Sequence, residues 1–172
     1  MQNLKEYNLP RSWDPGANLL KRSLWRIIGF PLLSSFIPGT PWRKFLLILF
    51  GAKIGTGGRI KPYVRITFPW KLIIENDCWI GEQVWIDNLD FIKIQSNVCI
   101  SQKAYLCTGN HNFKKTTFDL ITKPISIGYG TWIGAGTLIS PGSKIGNNCV
   151  ITFGSVIKGE IFDVAVDIRK NS

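Results

Sequence analysis

The amino-acid sequence predicts an all-β solenoid, a parallel β-helix of about five coils behind N-terminal α-helices, and three observations predict it. First, an isoleucine, once a leucine, recurs at six-residue steps: Ile54, Ile60, Ile66; Ile74, Ile80, Ile86; Ile94, Ile100, Leu106; Ile127, Ile133, Ile139; Ile145, Ile151, Ile157. One residue type held in phase over fifteen rungs marks short strands that each turn a corner after about six residues. Second, the phase slips only at third rungs, after Ile66, Ile86 and Leu106. Eight residues separate Ile66 from Ile74 and Ile86 from Ile94, and twenty-one separate Leu106 from Ile127, so three rungs make a coil and surplus chain leaves at its third corner. Third, the fourth residue after a rung is small wherever the coil continues: Val64, Cys78, Val84, Val98, Ala104, Thr131, Thr137, Ser143, Cys149 and Ser155. A tight corner leaves room for little else. The misfits Trp70, Asp90 and Asn110 all fall at third corners.

The 172 residues fit one domain with an N-terminal attachment. Residues 1–53 are expected to form a basic arm and amphipathic helices, residues 54–162 the β-helix with an active-site loop at about 110–124, and residues 163–172 a short tail. Pro10, Pro15 and Gly16 favour an extended arm over residues 1–16. Asn18 can cap a helix running through Leu19, Leu20, Leu24, Trp25, Ile27 and Ile28, which Pro31 should end or kink. A second helix should start at Pro41 and stop near Gly51. The longest charge-free run, Ile27 to Trp42, is broken by three prolines, whereas a membrane span needs about 20 uninterrupted apolar residues; no cleavable signal pattern opens the chain either.

Charge is unevenly placed. Residues 1–71 hold twelve Lys and Arg against Glu6 and Asp14, so the whole net charge of +10 resides there. The helices can cap the exposed strand edges and rungs of the first coil. Their basic, Trp-bearing faces can also contact an anionic membrane peripherally. No nucleic-acid-binding motif accompanies the charge. The four cysteines, Cys78, Cys99, Cys107 and Cys149, show neither metal-type nor redox spacing and read as reduced packing residues of a cytoplasmic protein.

Stacking of coils about 4.8 Å apart aligns Trp79, Cys99 and Trp132 in one outward column and Trp85, Tyr105 and Leu138 in another. The N-terminal helices or another subunit are expected to cover such apolar columns, a flat ligand being the third possibility. A filled prism has no interior cavity, so chemistry must sit on a face, between subunits or under a loop. His111, the one histidine, stands where the ladder breaks furthest. An imidazole suits general-base work at neutral pH, although loop histidines are more often plain surface residues.

The linking segments carry a resemblance. Trp42 to Leu47 leading into Phe50–Gly55, Arg65 to Lys71, Ile100 to His111, Leu120 to Ile125, and Gly130 to Ile133 resemble the hexapeptide-repeat acyltransferases of the left-handed β-helix type. The likeness covers about residues 41–158 and is greatest to colanic acid biosynthesis and other sugar O-acetyltransferases. It implies a homotrimer with sites between subunits, acetyl-CoA as donor, no metal, and a sugar or glycan-precursor acceptor. It implies that His111 is the catalytic base, and that backbone amides stabilise the oxyanion. Donor contacts are implied at Trp132, Gly134, Ala135, Ser140, Thr152 and Ser155, with Lys158 near the phosphates. Acceptor contacts are implied at Gln83, Trp85, Asp87, Asn88 and Asn110. The expected function is acetyl transfer to a sugar hydroxyl in exopolysaccharide or surface-glycan synthesis, in the cytoplasm or peripherally on the inner face of the membrane. A zinc enzyme of the same fold would need three histidines per site, and this chain has one. Two departures stand out: Asn112 replaces the family's usual aspartate, and Lys158 to Val164 replaces its proline-bearing turn and Gly-Asn-Pro-Ala-Lys stretch. A binding or scaffold β-helix without catalysis is the second reading.

Overall fold

In the computed structural model, which describes residues 3–10 and 12–163, the rungs stack into the three faces of a left-handed parallel β-helix. Ile54, Ile74, Ile94, Ile127, Ile145 and Ile161 pair in register on the first face. Ile60, Ile80, Ile100, Ile133 and Ile151 do so on the second, and Ile66, Ile86, Leu106, Ile139 and Ile157 on the third. Apart from half-buried Ile54 at the open end, every rung is buried, so the interior is a stack of branched aliphatic side chains. All ten small corner residues are buried as well. Ile161 is a rung the six-residue pattern misses, because only four residues separate it from Ile157. It opens a sixth turn, which Asp163 ties down by accepting from the Asn147 backbone amide at 2.7 Å.

The corner chemistry shows in the backbone. The residue three after a rung repeatedly adopts positive φ, as at Asp77 (58°), Gln83 (59°), Asn97 (63°), Lys103 (60°) and Asn148 (53°). Such a left-handed residue reverses the chain within two peptides, which is why glycine, asparagine and aspartate recur there.

The N-terminal helices cap the first coil. Asn18 caps α1, Leu19–Leu24, through its side chain to the Lys21 amide at 2.9 Å. A wide i→i+5 turn, Trp25–Gly29, follows and runs into α2, Phe30–Leu33. Pro31 therefore does not end the helix: the wide turn shifts the hydrogen-bond register, so the proline falls in the first turn of α2, where its missing N–H costs little. Gly29 is where Trp25 folds back, since a Cβ there would lie 2.2 Å from the indole. Trp25 is buried and donates to the Ile66 carbonyl at 3.2 Å. Helix α3, Thr40–Leu49, buries Arg43, Leu46 and Leu47. The Arg43 guanidinium bonds the carbonyls of Ser35, Ile37 and Gly39, closing the turn between α2 and α3. The helices do not cover the Trp79–Trp132 column, which leaves another subunit or a flat ligand of the three expected covers, and Trp85 and Tyr105 in the other column are half-buried. The helices pack on the end of the prism, and Trp79 and Trp132 stay about half exposed, at 51% and 52%.

Candidate functional site

The excursion after the third coil is an anchored hairpin. Buried Thr108 donates from both its amide and hydroxyl to the Asp87 carbonyl, each at 3.1 Å, and its own carbonyl accepts from Lys123 N at 3.0 Å. Beyond that anchor, strand Gly109–His111 pairs antiparallel with Leu120–Thr122, placing His111 opposite Leu120 at the hairpin's far end. Asn112 N bonds the Asp119 carbonyl at 2.8 Å, and Lys115 meets the Asp119 carboxylate at 2.9 Å, so the connecting loop is tied across itself.

His111 is held from three directions. Its Nδ1 lies 2.8 Å from the Phe118 carbonyl oxygen. The Phe118 ring stacks on the imidazole with centroids 4.3 Å apart and planes 2° off parallel. Tyr7 meets the imidazole edge-on at 5.6 Å. A carbonyl oxygen can only accept, so Nδ1 carries the proton and Nε2 keeps its lone pair in the neutral ring. Phe118 aims that carbonyl from a left-handed backbone, φ 49°. Tyr7 belongs to the N-terminal arm, which reaches the loop through Asn3 N to the Thr116 carbonyl at 2.8 Å. No sequence signal links Tyr7 to His111; the pairing exists only because the arm crosses back over the hairpin. Asn110 turns its side-chain oxygen to the His111 amide at 2.8 Å.

The implied acceptor residues divide. Trp85 lies between the Arg65 guanidinium, 4.2 Å from its ring, and the Tyr105 ring at 4.9 Å; its Nε1 is buried without a partner among the described residues. Asp87 accepts from Thr67 Oγ1 at 2.8 Å and from the Tyr105 hydroxyl at 2.9 Å. Burial first, then the Cys107 thiol and the Asp87 carboxylate, push the Tyr105 phenol far up, so it stays a neutral donor. Gln83 occupies an exposed corner. Asn88 departs from expectation: it is fully buried, and its amide accepts from Phe68 N at 2.9 Å and donates to the Phe68 carbonyl at 2.7 Å. That pairing closes the third corner and leaves Asn88 no surface for an acceptor.

The implied donor residues lie in the upper coils. Trp132 stands half exposed on the second face, donating from Nε1 to Ser101 Oγ at 2.9 Å. With Trp79, Cys99, Arg59 and Lys61 it borders a shallow groove of about 460 Å³. Gly134 is buried, and a Cβ there would lie 2.7 Å from Phe153 N. Ala135 holds Gly154 through a 2.9 Å backbone bond, Ser140 accepts from the Ser143 hydroxyl at 2.7 Å, and the Thr152 and Ser155 hydroxyls lie 3.2 Å apart. Lys158 is exposed. Trp132 occupies the second face while His111 lies on the hairpin that leaves the third, so the two stand on different elements of the chain. Arg169 and Lys170, the remaining basic residues near the C-terminus, lie outside the described residues. Among the described residues no three His, Cys, Asp or Glu side chains cluster as a metal site.

Known proteins are similar to this chain in sequence and in fold. Residues 124–159 match the family described as bacterial transferase hexapeptide (six repeats). The chain is 37% identical over 156 residues to the "Putative colanic acid biosynthesis acetyltransferase WcaF" of Escherichia coli K12, covering 88% of this chain and 83% of that one. In structure it resembles a hexapeptide-repeat acetyltransferase of Vibrio cholerae complexed with acetyl coenzyme A, at a TM-score of 0.77 and 21% identity, over 88% of this chain and 85% of that one. A galactoside acetyltransferase in complex with coenzyme A aligns at a TM-score of 0.73 and 23% identity, over 95% and 82% of the two chains. At these identities the two structural likenesses bear on the fold.

Proposed function

We propose that this chain, which belongs to the hexapeptide-repeat acetyltransferase family, moves an acetyl group from acetyl-CoA to a sugar hydroxyl of an exopolysaccharide or surface-glycan precursor. The observation that carries the reading is the 2.8 Å contact of His111 Nδ1 with the Phe118 carbonyl, which leaves Nε2 as a fixed proton acceptor. Nε2 takes the proton of the sugar hydroxyl as its oxygen adds to the thioester carbonyl; the imidazolium returns that proton to the departing thiolate, yielding the acetyl ester and CoA. Acetyl-CoA enters as a substrate, and the open Trp132 indole and exposed Lys158 are groups that suit it.

Acceptor binding is assigned to the half-buried Trp85, to Asp87 and to Gln83. Because Trp132 stands on the second face and His111 on the hairpin that leaves the third, the reading takes a homotrimer, in which one protomer's donor face meets its neighbour's hairpin. The reaction is placed in the cytoplasm, where the helical cap can lie against the inner face of the membrane.

The test pairs binding with turnover. Coenzyme A should raise the unfolding temperature of the wild type and of His111→Ala alike. Transfer from acetyl-CoA to a panel of nucleotide sugars and lipid-linked glycans should vanish in the variant. Undiminished turnover in His111→Ala would remove the base assignment. Neither stabilisation by coenzyme A nor transfer in the wild type would leave a scaffold instead.

A further inference from the structure

The outer surface of the helical cap is apolar where it should be wet. Along α1, the wide turn and α2, the chain buries Trp25, Gly29 and Leu33 against the first coil, at i, i+4 and i+8. A second apolar stripe, including Leu20, Ile27 and Ile28, faces away from the protein. Helix α3 repeats the pattern with Leu46 and Leu47 inward and Phe45, Ile48 and Leu49 outward. These six outward side chains are between 51% and 73% exposed, a concentration a monomeric surface rarely tolerates.

Charge selects the occupant. Between Asp14 and Glu75 there is no Asp or Glu; of the ten Lys and Arg there, Arg43 and Lys71 are buried, and Lys21, Arg22 and the exposed Arg26 lie on the same helix as the first stripe. We infer that this cap is a membrane-docking surface, lying in the headgroup region of an anionic bilayer with its outward leucines, isoleucines and phenylalanine inserted and its cations against lipid phosphates. A second copy docking by the same face would set cations against cations with no carboxylate to pair them. A nucleic acid would leave the six apolar side chains unsatisfied. No helix among the described residues is long and apolar enough to cross a membrane, which agrees with a helix that lies on its surface. The inference stands independently of the transfer reaction, since none of its residues is assigned to donor, acceptor or base.

Vesicle sedimentation of the full chain tests it without any sugar or CoA. The protein should pellet with vesicles of phosphatidylcholine containing phosphatidylglycerol and stay in solution with phosphatidylcholine alone. Neutralising Lys21, Arg22 and Arg26 to Gln should weaken partitioning about fivefold per cation, and 0.5 M salt should act in the same direction, on the order of the electrostatic attraction each basic residue contributes. Ile27→Asp combined with Ile48→Asp should abolish binding while leaving the unfolding temperature and circular dichroism unchanged, because both side chains are exposed. Vesicle binding untouched by both sets of variants, or no binding by the wild type, would overturn the inference. Loss of self-association in the double variant, seen by light scattering without vesicles, would overturn it in favour of a second copy.

Discussion

His111 Nδ1 and the carbonyl oxygen of Phe118 lie 2.8 Å apart while the two rings stack in parallel at 4.3 Å, so one residue fixes both the tautomer and the plane of the imidazole. The sequence contains a single histidine, and a ¹⁵N spectrum of the side chain therefore needs no assignment. It should show Nδ1 protonated and Nε2 bare in the neutral ring; the reverse pattern would contradict the hydrogen bond. Phe118→Ala keeps the carbonyl but removes the stack. An aromatic pair contributes about 1 kcal/mol, so turnover should fall about tenfold or less, far short of the loss in His111→Ala.

Asp87 and Asn88 are adjacent in sequence yet should respond differently. Asp87 accepts from the Tyr105 hydroxyl beside Trp85, so Asp87→Asn, which removes the charge from any bond to the sugar acceptor, should raise its KM about tenfold while stabilisation by coenzyme A persists. Asn88 spends its amide on both backbone groups of Phe68, and leaving those unpaired costs about 1–3 kcal/mol. Asn88→Ala should lower the unfolding temperature and leave the acceptor KM of the folded enzyme unchanged. A KM effect without a stability effect would return Asn88 to the site.

The ladder was readable because isoleucine spacing records a periodic physical demand, the filling of a narrow prism. For the same reason the phase breaks found the hairpin and His111. What escaped the pattern depends on non-periodic contacts. Ile161 follows its predecessor by four residues instead of six. Asn88, two residues after Ile86 and outside the small corner position, closes its corner with a buried amide bonded to both backbone groups of Phe68. Pro31 would end or kink a helix of ordinary register, whereas the wide turn at Trp25–Gly29 resets that register. Tyr7 is 104 positions from His111, and only the folded arm brings the rings together. The bare Trp79 and Trp132 faces were legible as apolar but not as open.

Two glycines separate the causes of corner stability. Gly136 sits at φ +68° with no atom within 4 Å of a hypothetical Cβ, so Gly136→Ala should cost only the left-handed backbone penalty, about 1 kcal/mol. In Gly134→Ala the new methyl would sit 2.7 Å from the next coil's backbone at Thr152 and Phe153. Backbone cannot rotate away as a side chain can, so the coils must part, at about 2–3 kcal/mol. Thermal unfolding should rank wild type above Gly136→Ala above Gly134→Ala, with about 2–4 °C per kcal/mol for a chain of this size. Equal losses at both sites would mean that coil spacing does not limit the fold.

Glu75 supplies an acid-side test of the first face. Its carboxylate bonds Lys93 Nζ at 3.2 Å and accepts from the Ser96 amide and hydroxyl at 3.2 and 3.3 Å. The Lys93 hydrogen bond above all holds its pKa below the ordinary value of 4.5. A depressed carboxylate stabilises the fold above the unfolded pKa, and that contribution is lost as pH falls through the folded pKa. The pair is well exposed, so solvent screening keeps the effect to about 0.5 kcal/mol or less. Glu75→Gln should therefore unfold slightly below the wild type at pH 7, and the two curves should converge as the pH falls from 4.5 through the lowered folded pKa. Raising the salt concentration at pH 7 should narrow the gap in the same direction. A difference that persisted into acid would trace the stabilisation to the shape of the side chain, not its charge.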